Sequence, residues 1–410
     1  MYLFLFFHRK YYTLVLQWLK EMSYQKSHDN CAMKIRYKYL IMSLCAVSFF
    51  FLFDGCQKGG FLPDLDDERF EEMPPIIEGR IVGAYVTYYG TSLPDPSLFT
   101  HLFYAFAELY MVNGQYHGFK LEGNEARFAQ IVALKEEYPH LKISISFCNN
   151  IENTDNKQGG GFSVLAKSEK SRKAFALDCL RFLQKWNIDG VDLDWEFPGL
   201  SWSADGVFDP AVDVANHVLL MKQLRETLDN HHLLTYAGYC MDKVPTHGGY
   251  RYIDIAAVDP YVDFVNIMAY DLDEAPHHHS ALSDSRAYQD CKRAVDAYLQ
   301  AGVSANKLVL GIPFYGRHSF SATPFALDYK TIISLDTKSY KIDNWDQIAS
   351  VPFVSYNGQF FCGYDNAKSI ALKGEWLLHK GMKGMMYWHY DADSNESSLR
   401  KSVWRATMKQ

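Results

Sequence analysis

Short runs of β-branched and aromatic residues recur eight times from residue 80 onward, and longer amphipathic stretches separate them. The runs predict strands at Ile81–Tyr88, Thr100–Ala107, Lys142–Phe147, Ile188–Trp195, His232–Gly238, Val262–Ala269, Lys307–Phe314 and Met382–Trp388. The amphipathic stretches include predicted helices at Glu125–Tyr138, Glu169–Trp186, Val212–Leu228, Arg286–Ala301 and Asn366–Lys380. Because strands that alternate with helices form parallel sheets, eight repeats predict an α/β fold of the closed (β/α)8 type, a TIM barrel.

The connection between the seventh and eighth strands is too long for one helix. Residues 317–362 are rich in Tyr, Phe and Asp, and they predict a small α+β insertion in a catalytic barrel that spans residues 80–405. A two-domain, doubly wound sheet is the alternative. It is disfavoured because the turn after the first strand, in GAYVTYYG, lacks the GxGxxG spacing of a phosphate-binding loop.

The N-terminal region has the pattern of a targeting signal. A basic head after Met33, an uncharged run at Tyr39–Phe53 and a small residue before Cys56 predict a lipoprotein-type signal over residues 33–55. Cys56 resembles the lipidated cysteine of bacterial lipoproteins; an ordinary signal peptide and an uncleaved anchor are the alternatives.

Residues 1–32 fit no targeting pattern and are interpreted as a doubtful upstream extension. Residues 56–79 are rich in Gly, Pro and acids and predict a tether. The expected protein is exported and held at an outer membrane, a cell surface or in a periplasm by its N-terminal lipid alone, or is otherwise secreted. We expect a monomer.

Charge divides the chain at the same place. The net charge of −7 separates into +4 for residues 1–55, from seven basic and three acidic side chains, and −11 for the remainder, from 34 basic and 45 acidic ones. An acidic body lacks the positive charge that binding to phosphate backbones requires, which disfavours a nucleic-acid partner. Beyond Cys56 five cysteines remain without CxxC spacing, which argues against a disulfide framework and a zinc cluster.

Three carboxylates follow one another at alternate positions where the fourth predicted strand ends. Asp192, Asp194 and Glu196 lie at i, i+2 and i+4, so they share one face of the strand. Crowded carboxylates cannot all ionise, so one proton is shared and the outermost group can act as an acid near neutral pH. Asp189 is out of phase and is interpreted as structural.

Two other interpretations of these carboxylates remain. Solvation of an acidic turn is disfavoured by Val191, Leu193 and Trp195, whose alternation with the acids marks a half-buried strand. A metal cluster would need ligands from other strands, and the histidines at His277–His279 are the candidate ligands. Those histidines are interpreted as polar loop residues, one of them near the cleft, and no metal is expected.

The run DGVDLDWE at Asp189–Glu196 resembles the DGxDxDxE signature of family-18 glycoside hydrolases, the chitinase family, whose members are (β/α)8 barrels. Met268–Asp271 is similar to the family's MxYD element and Gly311–Arg317 to its GxPxYGR element. Trp388 stands where the family has the tryptophan that floors its sugar site. The resemblance extends over roughly residues 80–405.

The resemblance implies a retaining, substrate-assisted hydrolysis. Glu196 would be the general acid and later the base, and Asp194 would orient the acetamide N–H of the substrate. Asp192 would share a proton with Asp194, and Tyr270 would donate its hydroxyl to the acetamide oxygen. The substrate would carry an N-acetyl group on the −1 sugar, and no metal or organic cofactor would be needed.

Further residues are expected to bind the sugar. They are Trp388, Met268, Asp271, Tyr85, Phe106, Arg317 and Ser146. The family's third strand usually ends Ser-x-Gly-Gly, but this chain has Ser146-Phe147-Cys148-Asn149, so side chains replace two glycines near the site. The departure bears on the shape of the sugar subsites and so on the preferred oligosaccharide.

Three functions follow as alternatives. The first is a chitinase that cuts β-1,4-linked N-acetylglucosamine polymers or oligomers. The second is an endo-β-N-acetylglucosaminidase that acts on N-glycans or peptidoglycan-derived glycans. The third is a catalytically weak carbohydrate-binding protein. The complete set Glu196, Asp194 and Tyr270 argues against the third, and GxPxYGR with the insertion favours the first.

Overall fold

Eight parallel strands and their connecting helices form the larger part of the computed structural model, which describes residues 72–148, 161–200, 208–241 and 252–409. These residues belong to one compact unit, residues 71–410. The expected upstream extension, the signal segment, Cys56 and most of the tether lie outside the described residues. Across the described ranges, no helix is long and apolar enough to cross a membrane.

The eight parallel strands close into a barrel. They are β1 (Ile81–Thr87), β2 (His101–Val112), β4 (Lys142–Cys148), β5 (Gly190–Asp194), β6 (Leu233–Gly238), β7 (Phe264–Ile267), β8 (Leu308–Pro313) and β14 (Gly384–Trp388). Each pairs with its neighbours in parallel, and β1 bonds both to β2 and to β14, which closes the ring. The closed order confirms the (β/α)8 barrel and excludes the open, doubly wound alternative.

Helices surround the barrel. They are α1 (Glu125–Glu137), α2 (Gly161–Lys167), α3 (Glu169–Trp186), α4 (Asp213–Leu228), α5 (Ile255–Val258), α6 (Cys291–Gln300), α8 (Ala367–His379) and α9 (Ser398–Met408). The predicted helix at Arg286–Ala301 begins five residues late, because the Asp290 side chain accepts from the backbone N–H of Arg293 and caps the helix there.

The sequence pattern did not predict one strand, β3 (Gln115–Leu121), which extends the barrel sheet. It pairs antiparallel with the extended end of β2. Asn113 and Gly114 join them with φ of 49° and 69°, the left-handed backbone that a two-residue Asn-Gly hairpin turn needs.

A second sheet lies in the connection between β8 and β14. Its antiparallel strands are β9 (Tyr315–Arg317), β10 (Ala326–Asp328), β11 (Tyr340–Asp346), β12 (Val351–Tyr356) and β13 (Gln359–Gly363), with the short helix α7 (Tyr329–Ile332). It has a small core of its own, formed by Ile332, Val354, Cys362 and Tyr364. A single residue, Phe314, separates β8 from β9, so the second sheet begins at the carboxyl end of a barrel strand.

Candidate active site

The three alternate carboxylates of the sequence motif lie at the carboxyl end of β5, inside the barrel. Asp192 and Asp194 are buried strand residues, and Glu196 follows two positions later. The intervening Trp195 points the other way, where its ring stacks on Phe162 of α2 at 5.5 Å between centroids. The period of two therefore brings the acids together at the end of the barrel where TIM-barrel chemistry occurs.

Asp192 is fully buried and hydrogen-bonded from several strands. Its Oδ2 accepts from the Ser146 hydroxyl at 2.7 Å and the Tyr85 hydroxyl at 2.9 Å, and its Oδ1 accepts from the Thr235 hydroxyl at 2.6 Å. The amide of Asn266 approaches Oδ1 at 3.5 Å. Burial raises the pKa of Asp192, and these donors oppose the rise. The carboxyl is therefore held rigidly in place in either protonation state.

Asp194 lies one pleat further out and lacks such support. Its Oδ1 is buried without a hydrogen-bond partner among the described residues. Burial raises the pKa of Asp194 well above its usual value, and the nearby charges of Glu196 and Asp192 raise it further. An oxygen left unpaired in a buried site is available to a ligand group that can donate a hydrogen bond.

Glu196 is half-buried at the cavity. Burial, followed by the charge of Asp271, raises its pKa from 4.5 to about 7. A carboxyl group with a pKa near neutrality can both give and take a proton under ordinary conditions, which is what general acid–base chemistry requires.

Two further predicted site residues, Tyr270 and Asp271, follow β7. Tyr270 is held in its protonated form, because burial and the charges of Asp194 and Glu196 raise its pKa. Its ring packs against Gly311 of β8, where an added Cβ would lie 2.8 Å from the Tyr270 ring. That glycine of the GxPxYGR element is therefore needed to seat the tyrosine.

Asp271 remains charged. Burial alone would raise its pKa, but hydrogen bonds from His279 and Arg317 outweigh burial and hold the pKa below the usual value. Arg317 donates to both carboxylate oxygens, at 2.8 and 2.7 Å. The site thus contains one carboxylate whose pKa is lowered, Asp271, beside carboxyl groups whose pKa values are raised.

A cavity of about 410 Å³ opens over these residues, a volume typical of small-ligand sites. Trp388 forms part of its wall, stacked on Phe106 at 5.6 Å with 21° between the rings. The described lining residues are Tyr85, Tyr88, Tyr89, Phe106, Glu122, Cys148, Asp194, Glu196, Phe197, Ala237, Tyr239, Met268, Tyr270, Asp271, Tyr315 and Trp388. Aromatic faces with a few convergent polar groups suit a ligand that is polar at its edges and apolar on its faces.

The structure places the predicted sugar-binding residues in two groups. Trp388, Met268, Tyr85, Phe106 and Asp271 line the cavity. The other two, Ser146 and Arg317, lie behind it and bond to Asp192 and Asp271. Cys148, at the altered end of the third barrel strand, lines the cavity, whereas Asn149 lies outside the described residues.

Sequence reasoning missed several residues of the site. Thr235 and Asn266 donate to Asp192 from β6 and β7, and Tyr239 and Tyr315 line the cavity. Thr235 could have been found from register, since Ser146, Asp192 and Thr235 stand side by side on three adjacent strands. Asp189 lies at the opposite end of β5, paired with Lys135 and Lys142.

The histidine triplet was interpreted as polar loop residues, but two of its members are buried. His278 bonds through Nε2 to Asp346 at 3.1 Å, and His279 approaches Asp271 through Nδ1 at 3.3 Å. Within the described ranges, no group of three His, Cys, Asp or Glu side chains is placed to hold a metal ion.

Comparison with known proteins gives consistent matches. Chitinase A1 of Niallia circulans is 29% identical over 66% of this chain, and the match spans only 43% of that protein. Chitotriosidase-1 of Mus musculus is 28% identical over 74% of this chain and 69% of its own length. A solved family-18 N-acetylglucosaminidase from Paenibacillus barengoltzii superposes with a TM-score of 0.65 and 25% identity, covering 80% of this chain and 99% of that one. Residues 80–393 match glycosyl hydrolases family 18. With the carboxylates, the tyrosine and the barrel in place, this chain belongs to glycosyl hydrolase family 18.

Proposed function

We propose that the protein hydrolyses β-1,4-linked N-acetylglucosamine chains with retention of configuration, using the substrate's own acetamide as nucleophile. The observation that carries the proposal is the set Asp194, Glu196 and Tyr270 around one aromatic-walled cavity, with Asp192 fully buried next to them on β5. The similarity to proteins named chitinase and chitotriosidase supports the substrate class.

In this proposal Glu196 supplies the proton. Its pKa of about 7 keeps it protonated in mildly acidic solution, so it can protonate the leaving glycosidic oxygen. As the glycosidic bond breaks, the acetamide oxygen bonds to the anomeric carbon and forms an oxazolinium ion. Ionised Glu196 then accepts a proton from the water that attacks the anomeric carbon, which releases the acetamide oxygen. The fixed charge of Asp271 nearby disfavours ionised Glu196 and so favours reprotonation.

Asp194 and Tyr270 position the acetamide. The unpaired Oδ1 of Asp194 accepts the acetamide N–H, and the protonated hydroxyl of Tyr270 donates to the acetamide oxygen. These two hydrogen bonds orient the acetamide oxygen toward the anomeric carbon, so the attack is intramolecular. Such positioning lowers the activation free energy by roughly 7–11 kcal/mol in the best cases. Asp192, held by three hydroxyls, determines how much negative charge Asp194 carries.

The substrate itself provides the sharpest test. We expect cleavage of N-acetylglucosamine oligomers but not of β-1,4-linked glucose oligomers of equal length, which differ by lacking the acetamide. ¹H NMR of the first product should show the β-anomer. Cleavage of both series at equal rates, or an α-anomer as first product, would refute acetamide participation.

The cavity wall favours a second candidate, cleavage within N-glycans or peptidoglycan-derived glycans. Cys148 lines the cavity where the family usually has glycine, so the nearby subsite differs in shape. Incubation with a high-mannose glycoprotein and with chitin oligosaccharides tests this candidate. Release of the N-glycan with intact chitin oligosaccharides would replace the first candidate, and sugar binding without cleavage of either would identify a carbohydrate-binding protein.

We also propose that the exported protein is anchored through lipidated Cys56, on the strength of the basic head, apolar run and small residue that precede it. Radiolabelled palmitate should label the wild-type chain in a bacterial host and fail to label Cys56→Ala. Equal labelling of both would refute the anchor.

A further inference from the structure

A buried histidine with no assigned role contacts the backbone and the side chain of Asp271. His279 is fully buried, and its Nδ1 lies 3.3 Å from both the Asp271 backbone nitrogen and Asp271 Oδ1. Its carbonyl accepts from the backbone N–H of Leu272 at 3.0 Å. One residue thus contacts the turn that carries Asp271 at three points.

That turn needs such support. Asp271 has a φ of 54°, in the left-handed region that a residue with a Cβ adopts at a cost. Unfavourable backbone of this kind persists where the surroundings over-determine it. The His279 carbonyl accepts from the amide after the Asp271 Cα, and Nδ1 lies against the amide before it; these two amides define the turn.

The carboxylate is held from two sides. Arg317 of β9 approaches it from the second sheet, and His279 approaches Oδ1 from the loop after β7. The His279 ring itself packs against Tyr315, with 5.2 Å between centroids. When Nδ1 carries the proton, it donates to the Asp271 carboxylate. When Nδ1 is unprotonated, it accepts from the Asp271 backbone N–H, so in either tautomer its partner is Asp271.

The neighbouring histidine makes different contacts. His278 is also buried, but its Nε2 bonds to Asp346 of β11 and its ring packs on Phe360 at 5.2 Å. Adjacent residues therefore fix two different structures, one the Asp271 turn and the other the second sheet.

We propose that His279 is a positioning residue that fixes the turn and carboxylate of Asp271 and so sets the pH range in which Glu196 works. The catalytic half of this inference rests on the proposed function. The titratable and charged groups that face Asp271 are His279, Arg317, Tyr315, Tyr270 and Glu196. Its negative charge helps to keep Glu196 protonated, so displacing the carboxylate extends ionisation of Glu196 to lower pH.

A matched pair of variants isolates the contact. His279→Asn places its amide where Nδ1 lies, whereas His279→Gln reaches the Nε2 position, which has no partner among the described residues. We expect His279→Gln to move the basic limb of the kcat/KM profile on an N-acetylglucosamine oligomer to lower pH and to lower its maximum about tenfold. His279→Asn should retain the wild-type limb. His278→Asn, which removes the contact to Asp346, should leave the limb unmoved.

A crystal structure of His279→Gln gives a readout that needs no substrate. The Asp271 carboxylate should leave its wild-type position in that variant and keep it in His279→Asn and His278→Asn. An unmoved carboxylate or an unshifted limb in His279→Gln would overturn the inference. A displaced carboxylate in a protein whose wild type cuts no oligomer would instead refute the proposed function and leave the positioning role intact.

Discussion

Two regions of the molecule bury carboxyl groups in different ways. At the entry to α8, Asp365 is 1% exposed and bonds at 2.7 Å to the ammonium of Lys373, which is 0% exposed. Hydroxyls of Ser280 and Ser369 complete its hydrogen bonds. At the barrel mouth Asp194 and Glu196 form no ion pair with any residue in the described part of the chain, and their pKa values rise instead.

The difference separates a structural acid from a chemical one. The ammonium of Lys373 pairs directly with Asp365, so that carboxylate forms a structural ion pair. A carboxyl group buried without a cation retains a proton, and a proton can be transferred to a bound molecule. Whether a cation or a proton neutralises a buried acid is therefore more informative about its role than the depth of its burial.

Glu196→Gln removes the transferable proton at the barrel mouth, and of the substitutions considered it should reduce activity the most. The variant keeps the shape of the side chain but cannot transfer a proton, so kcat on N-acetylglucosamine oligomers should fall by roughly 10²–10⁴. Oligomer binding, measured by calorimetry, should persist. Turnover within threefold of wild type would refute the assigned acid.

Lys373→Met removes the ion pair at the entry to α8. The substitution leaves Asp365 buried without its cation, which costs about 3–5 kcal/mol of unfolding free energy. Urea denaturation measures the loss, and adding Asp365→Asn in the same chain should restore part of it. A loss below about 1 kcal/mol would refute the stabilising role of the ion pair.

The raised pKa of Glu196 should make the free energy of unfolding depend on pH. Glu196 binds a proton more tightly in the folded state, where its pKa is about 7 instead of 4.5, so its contribution is fully present below pH 4.5 and is lost as the pH rises through 7. From pH 4 to pH 8, wild type should lose about 2 kcal/mol more than Glu196→Gln, a value reduced for the partial opening of Glu196 to the cavity. Parallel denaturation curves for the two proteins would contradict this.

Asp189→Asn has the smallest expected effect. Asp189 directly precedes β5, at the end opposite the cavity, where two lysines and the backbone N–H of Ile143 bond to it. Because these pairs are partly exposed, we expect a stability loss of about 1 kcal/mol and kcat/KM within twofold of wild type. A tenfold loss of activity would show that the two ends of β5 are coupled.

Local sequence predicted much of this arrangement. The period of two placed Asp192, Asp194 and Glu196 on one face, and the alternation of strands and helices predicted the closed barrel. The Asn113-Gly114 turn was a visible hairpin signal, yet β3 was missed because its polar, half-exposed residues lack the apolar alternation of a core strand. The contacts of Thr235 and Asn266 depend on the register between neighbouring barrel strands, and those of His279 depend on loop packing; no local pattern encodes either.

The ring of strands closes between the two most distant parts of the barrel sequence. Ile81 of β1 stands opposite Gly384 of β14, and a Cβ on Gly384 would lie 1.8 Å from the Ile81 carbonyl oxygen. Near the same seam, Arg80 bonds to the carbonyl of Thr407 at 2.7 Å, and the Trp404 indole bonds to that of Pro74. Contacts so far apart in sequence form slowly during folding, since they must close the longest loop. The order of assembly follows: a nascent chain can stack its first strands early, but the cavity takes its final shape only after the last strand has been synthesised.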